Sequence, residues 1–414
     1  MSDTEISRPI NSKNDIFTGI GLVLGVTSFF TFILLIMFSG SRVNSSHSKY
    51  DNSPLIVNDS FKRITIFAAG DAMSHMPIVK SVWDTSCKCY DYSDVFKYLS
   101  PLIRNSDIAF INYETTNGGK PYSGFPKFSG PDTLAWFLKS AGFNFFVNAN
   151  NHSVDKGLYG INRTLDVFDR YKISHTGVFR DSNERIKTYP VILHQKGFKI
   201  AILNYTFSTN YIETPAPAII NKIDTVLIKS DLENALDSMP DAVLVLMHWG
   251  VEYQNEPGFE QKKIAGFLFR NGADAIIGSH PHVIQPVELI NFSYKGKPKT
   301  GLVIWSLGNF IANQRKRFRD GGIFVQFDIG RNIYTGKIKI DKISYIPFWL
   351  YKQTAPVKYY VLPISMFEND STTFNMNTKD KLSFKTFIND TRLHIERDTV
   401  NIKELKIPLN NYDF

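Results

Sequence analysis

The chain has 414 residues, 43% of them hydrophobic, and a formal charge of +8. That length holds one large or two ordinary domains with a packed core, and the two cysteines, Cys87 and Cys89, exclude both a disulfide framework and a complete structural zinc site. They are read as free thiols or a local oddity. The positive charge suits an acidic polymer, a phosphorylated substrate or an anionic membrane surface, and a solvated lysine-rich exterior explains it equally well.

In chain order, residues 1–15 form a short tail, and Ile16 to Phe38 is a run of 23 residues without a charge. That is long enough to cross a bilayer core of about 30 Å as a helix, and it is read as a transmembrane anchor. The alternative is a signal peptide cleaved near Ser39-Gly40-Ser41, but apolar regions of such peptides run to only about 7–15 residues. Charge counting does not orient the span, because Arg8 and Lys13 face Arg42 and Lys49 across it. Residues 39–60, rich in Ser and Asn, read as a linker.

From Ile64 onward, short apolar runs alternate with segments of helical period. The runs are Ile64–Ala69, Ile108–Asn112, Phe143–Asn148, Val191–His194, Ile200–Tyr205, Ala242–Met247, Ala275–Ile277 and Leu302–Leu307. Helices are expected at Asp132–Ala141, Tyr159–Tyr171, Lys229–Ser238 and Glu260–Asn271. The alternation predicts a layered α/β domain over 61–365. After Asn313 the sequence is β-rich, which predicts antiparallel strands. Residues 366–414 form a polar extension with one or two helices, around Lys379–Ile388 and Asp390–Arg397.

Polar residues that follow the apolar runs make an ordered set: Asp71, with His75 four further on, then Glu114, Asn151-His152, His248, and His280-Pro281-His282. Singly, each has a plain reading. Asp71 is a turn or helix cap, Glu114 a loop carboxylate, Asn151 a bond to its own turn, His248 a core histidine, and the last pair loop histidines. In open α/β sheets, however, ligands bind beyond the carboxyl ends of the strands, so five elements deliver these groups to one rim. A His-x-His at a strand end would aim both rings to one side. Carboxylate, amide oxygen and imidazole without thiolate suit one or two divalent ions of manganese, iron or zinc. Such an ion can clamp a substrate oxyanion and acidify a bound water, with His152 placed to protonate a leaving oxygen.

The order GD, NYE, NNHSVDKG, HWGVEY, GSHPHV and SLGNF, spread over Ile64 to Asn313, resembles the CapA family of capsule or poly-γ-glutamate synthesis proteins. That family is similar to the calcineurin-like metallophosphoesterases. The resemblance implies a four-layer αββα sandwich, with the strands after Asn313 completing its second sheet. It also implies metal ligands at Asp71, Glu114, Asn151, His248, His280 and His282, and a general acid at His152. Two departures stand out. The family of phosphoesterases opens with Asp-x-His, whereas His75 here is four residues from Asp71; and the bridging acid is Glu114 where an Asp is usual. Both leave the number of ions, one or two, open.

Asp155 and Gly157 are expected to fix the NNH loop or to cap the following helix. Glu252, Tyr253, Gln285 and Asn309 are expected to line the cleft. Arg315, Arg317 and Arg319, with Lys316, could grip a carboxylate- or phosphate-rich substrate or form a solvated loop. The reading favoured is a hydrolase anchored in the cytoplasmic membrane by a single span, its C-terminal domain extracytoplasmic, acting in the assembly of an anionic surface polymer together with other subunits. A non-catalytic polymer-binding subunit is the rival, and a free-standing phosphodiesterase for a small molecule a weaker third. No nucleic-acid motif or Gly-rich phosphate loop is present.

Overall fold

Strand β1 (Phe61–Ala72) is the spine of the molecule, and the apolar run Ile64–Ala69 is its middle. The computed structural model describes residues 60–370, 373–397 and 402–407; the expected tail, the 16–38 anchor and the linker up to residue 59 lie outside them. After β1 come β2 (Ile108–Tyr113), α1 (Asp132–Ala141), β3 (Phe145–Val147), α2 (Gly157–Arg170) and β4 (Ser174–Thr176). These four strands pair in parallel in that order, with α1 and α2 as crossovers of the kind parallel neighbours require.

A second, six-stranded sheet follows from β5 (Val191–Gln195), β6 (Phe198–Thr206), α3 (Thr225–Asp237), β7 (Ala242–His248), α4 (Phe259–Arg270), β8 (Ala275–Ser279), β9 (Val287–Tyr294) and β10 (Lys297–Ile304). Its order is β9-β10-β8-β7-β6-β5. The chain then returns to the first sheet. Strand β11 (Asn309–Ile311) lies parallel to the end of β1, opposite Asp71. β12 (Gly321–Asn332), β13 (Ile338–Thr354) and β14 (Val357–Pro363) add antiparallel beyond it. The strands expected after Asn313 are therefore antiparallel as foreseen, but they extend the sheet built on β1 and not the second sheet. β1 leaves one edge free of β2, and β12 pairs along eight of its residues from Phe61 to Ala68.

Alternation along the second sheet decides its packing. Ile200, Ile202, Leu244, Leu246, Ile277 and Ile304 share a core with the first sheet. Ala201, Leu203, Val243, Val245, Ile276 and Val303 pack under α3 and α4, against Ile228, Leu232, Leu268 and Phe269. Both faces are thus covered, which is why these strands read as continuous apolar runs. Each fully buried Val, Leu, Ile or Phe among them contributes about 1.5–3 kcal/mol. In the polar extension, one continuous helix, α5 (Thr378–Glu396), spans both stretches where one or two helices were expected, and a short strand, β15 (Lys403–Glu404), pairs with β13. α5 packs on β13 through Phe384 against Trp349, rings 5.5 Å apart, and Tyr345 donates to Glu396 at 2.9 Å. No helix among the described residues is long and apolar enough to cross a membrane.

The SLGNF segment is where the two sheets are stitched together. After β10, Leu307 N–H donates to Gly278 O of the second sheet at 3.2 Å, and Gly308 O accepts from Asp71 N–H of the first at 3.2 Å. Two glycines make room for it. A Cβ on Gly278 would stand 2.0 Å from Trp305 O, and one on Gly70 would stand 2.0 Å from Gly308 O. Both obstacles are backbone, so only glycine permits the approach.

Cys87 and Cys89 are joined in a disulfide, which corrects the reading of free thiols. The bond closes across one intervening residue, Lys88, whose positive φ of 52° forms the turn between them.

Candidate metal centre

The structure brings the strand-end side chains together and buries them. Asp71, Glu114, Asn151, His152, His248, His280 and His282 are each at most 4% exposed. Two overlapping groups, Asp71/Glu114/His248 and Glu114/His280/His282, each place their ligand atoms within 4.8 Å of one another. Glu114 belongs to both. Asn151 joins them through its Oδ1, 2.9 Å from His248 Nε2.

Asp71, near the end of β1, accepts from His282 Nδ1–H at 3.0 Å and from Asn112 Nδ2 at 2.8 Å, with His280 N–H at 3.4 Å. Burial alone would push its carboxyl up, but the His282 hydrogen bond and charge, with Asn112, hold it below the usual range. Glu114, just past β2, goes the other way. Burial first, then the charge of Asp71 and a hydrogen bond to it, raise its pKa far above that of a free glutamate. Two buried carboxylates this close to one another favour sharing one proton. His248 and His280 are held neutral: burial lowers His248 well below a free histidine, neighbouring rings adding to it, and burial with the His282 charge lowers His280 to about 3.

His280 and His282 do not converge by strand alternation, as expected, because β8 ends at Ser279. They lie in the turn after it, at φ of 101° and 58°. Non-glycine residues seldom adopt such angles, at a cost of order 1–3 kcal/mol each, and they persist where surroundings over-determine them, commonly at functional sites. Here Asp71 accepts from His280 N–H, and Asn309 Nδ2 donates to His282 O at 3.2 Å.

His152 sits on the loop before α2 with its Nδ1–H donating to Asp155 Oδ2 at 2.8 Å and its ring edge against Phe128. Asp155 does not cap α2, whose N-cap is Lys156; it holds His152 and accepts Phe128 N–H at 2.6 Å. His75 stands beside the cluster and belongs to neither ligand group. Burial, followed by the charges of His282 and His152, lowers it to about 4.

The remaining predicted residues divide. Glu252 is exposed but close enough for its charge to act on Glu114. Tyr253 faces His282, ring centroids 6.2 Å apart, and Arg319 lies over Tyr253 at 3.2 Å. Arg315 stacks on Trp349 and donates to Leu350 O; Arg317 grips Asp390 of α5 through two hydrogen bonds. These two line a separate cleft of about 210 Å³ against α5, with Asp320 and Thr386. Gln285 is buried behind the site, its Nε2 donating to Gln254 O and Glu256 O.

Asn112 is the residue that sequence reading passed over. Its Nδ2 lies 2.8 Å from Asp71 Oδ1, 3.4 Å from Glu114 Oε2 and 3.2 Å from His248 Nδ1, so one amide ties both carboxylates to the second sheet. The signal was present in the N-Y-E motif, since residues i and i+2 of a strand share a face. Asn150 Nδ2 supports it from behind, donating to Asn112 Oδ1 at 3.4 Å and to Tyr113 O at 2.9 Å.

The donor set fits a divalent ion. Glu114 Oε1, His280 Nδ1 and Asn309 Oδ1 are buried without a hydrogen-bond partner, and buried polar atoms are seldom left so. Two carboxylates, an amide oxygen and three imidazoles, with no thiolate, are the ligands of a hard-to-borderline cation.

Fold and site together define a layered α/β protein with a divalent-metal-type carboxylate–imidazole centre at its strand ends. The pattern of the family described as "Bacterial capsule synthesis protein PGA_cap" matches residues 65–314, and the chain belongs to that family. It is similar to the capsule biosynthesis protein CapA of Bacillus anthracis, 29% identical over 286 residues that cover 66% of this chain and 65% of that protein. It is likewise similar to the PGA biosynthesis protein CapA of Bacillus subtilis (strain 168), 29% identical over 261 residues, 60% of this chain and 64% of that one. The match thus spans a little under two thirds of each relative's length. Among solved structures it is similar to the NAD nucleotidase NadN of Haemophilus influenzae, with a TM-score of 0.46 and 13% identity over 84% of this chain and 64% of that chain. For a 5'-nucleotidase from Candida albicans SC5314 the TM-score is 0.39, with 12% identity over 80% and 58% of the two chains.

Proposed function

We propose that this protein is a divalent-metal-dependent hydrolase of phosphoester-type bonds that works in the assembly of an anionic capsule or poly-γ-glutamate-like polymer. The observation that carries the reading is the pair of ligand groups sharing Glu114, with unpartnered buried atoms on Glu114 and His280. On this reading the two sheets and their helices are an αββα sandwich of metallophosphoesterase type. Asp71, Glu114, Asn151, His248, His280 and His282 would hold one or two ions of manganese, iron or zinc.

Such an ion, when bound, supplies Lewis acidity toward a substrate oxygen and toward a water. The chain's own residues do the rest. Asp155 fixes the His152 ring through Nδ1, which leaves Nε2 to carry a proton to the leaving oxygen. Phe207, 44% exposed and 4.4 Å from His280 between ring centroids, forms one wall of the approach. It opens on a groove of about 920 Å³ shared with Trp249, Val251 and Phe259.

The run from Ile16 to Phe38 anchors the chain in the cytoplasmic membrane, with the domain outside. The Cys87–Cys89 disulfide supports that placement, since disulfides persist in oxidising compartments. The rival reading, a polymer-binding subunit gripping its ligand with the arginine cluster, is disfavoured because Arg315 and Arg317 are engaged within the fold. Purified full-length protein should hydrolyse aryl phosphates or phosphodiesters when supplied with Mn²⁺ or Zn²⁺. His152→Gln should lower kcat by roughly 10²–10⁴-fold with metal content unchanged. Metal-loaded protein inactive on every such ester would refute the hydrolase.

A further inference from the structure

We propose that the pole of the domain opposite the metal centre is a docking surface for an anionic phospholipid membrane, and that it stands the domain on the bilayer with the site facing away. The proposal builds on the membrane-anchor reading, and its test separates the two.

The pole is formed by the starts of the parallel strands and the hairpins around them. β1 begins there at Phe61, and Ile333 N–H donates to Ser60 O at 2.8 Å, so the β12–β13 turn sits beside the point where the chain enters the domain. In the sequence that point follows the uncharged run, which ends at Phe38, by 22 residues. The turn presents Ile333, 51% exposed, and Tyr334, 80% exposed. A bare aliphatic and a bare tyrosine at a hairpin tip have no packing role inside the fold, and tyrosine favours the headgroup region of a bilayer.

The charge around that tip is unbalanced. Lys62, Lys295, Lys297 and Lys337 are exposed and make no salt bridge among the described residues. The acids of the pole are already neutralised: Asp341 by Arg63 and Lys339, Asp274 by Lys299, and Asp241 by Arg331. The two hairpins form one surface. Pro298, Lys299 and Asn291 of β9–β10 face Lys337 and Lys339 across a shared cleft, and Arg331 reaches Gly197 O of the second sheet at 3.1 Å. Basic residues ringing an exposed apolar tip are the chemistry of a peripheral contact with anionic lipid. Asp71 lies near the other end of the 12-residue β1, ten residues from Phe61 and so about 33 Å away at 3.3 Å per residue.

The full-length chain reconstituted into vesicles tests this. A Tyr334→Cys variant labelled with an environment-sensitive fluorophore places the probe at the tip, while Tyr211→Cys, fully exposed near Asn151, reports the site pole. Native Cys87 and Cys89 are bonded to each other and do not compete for the label. In vesicles containing phosphatidylglycerol, the 334 probe should shift to the blue and be quenched by spin-labelled lipid. The effect should fall with added salt, in phosphatidylcholine alone, and in a Lys295→Glu/Lys297→Glu/Lys337→Glu variant, with no shift at 211. Water-like emission at 334 in both vesicle types would overturn the proposal, as would an equal shift at 211. A shift at 334 on adding soluble polyglutamate, with none on phosphatidylglycerol, would overturn it in favour of a polymer contact. Release of the chain by alkaline carbonate, with the salt-sensitive 334 shift retained, would remove the anchor and leave the docking surface standing.

Discussion

Replacing Asn112 by Ala removes the one amide that touches both carboxylates and a histidine of the second sheet. A hydrogen bond to a charged group contributes about 1.5–3 kcal/mol. Asp71 keeps His282 Nδ1–H at 3.0 Å and His280 N–H at 3.4 Å, so the stability loss should fall at the low end, about 1.5 kcal/mol. Metal binding should suffer more visibly. Groups that orient ligands are worth roughly 10–100-fold in affinity, or about 1.4–2.7 kcal/mol, because Asp71, Glu114 and His248 would no longer be preset. Calorimetric titration with Mn²⁺ or Zn²⁺ and urea melts of the metal-free protein measure the two effects separately. If Asn112→Ala binds metal as tightly as the parent, Asn112 does not organise the centre.

Other consequences can be checked alongside. Glu114 has a raised pKa in the metal-free fold, so it should release a proton when a cation binds, and affinity should rise with pH. Titrations in buffers of different ionisation enthalpy should show that release in the parent and not in Glu114→Gln. The same shift has a stability sign: a raised folded pKa means this group's contribution is lost as pH climbs past the free value of 4.5. Metal-free Glu114→Gln should therefore be less sensitive to rising pH than the parent, and identical pH profiles would count against the shared proton. Gly278→Ala would drive a Cβ to 2.0 Å from Trp305 O; a cost of about 1–3 kcal/mol or more is expected, read as a lowered urea midpoint. Arg317→Ala, which severs the ion pair with Asp390 and the stacking on Phe318 away from the metal centre, should leave metal content and hydrolysis unchanged.

Much of this centre was legible because strand ends in a layered α/β chain are marked in sequence by the first polar residues after an apolar run. Asp71, Glu114, His248 and the 280–282 pair were found that way, and burial on both faces of the second sheet kept those runs unbroken. Features that depend on tertiary context were harder. The strands after Asn313 carried the right antiparallel pattern, but nothing local said that β12 would take the free edge of β1. Asn112 lay inside a strand and was read as part of the run, although its spacing from Glu114 put both on one face. The histidine turn depends on positive φ at two non-glycine residues, which no propensity foretells. The arginine run looked like a substrate grip because its partners, Asp390 and Leu350, are 73 and 35 residues further along.

The central claim is that Glu114 and the histidines around it hold divalent metal. Elemental analysis of the full-length protein, purified without chelator and compared with His248→Ala and His280→Ala, tests it most directly. One or two equivalents of manganese, iron or zinc in the parent, falling in both folded variants, is the predicted result. A parent that carries no metal and gains no stability when Mn²⁺ or Zn²⁺ is added would contradict it.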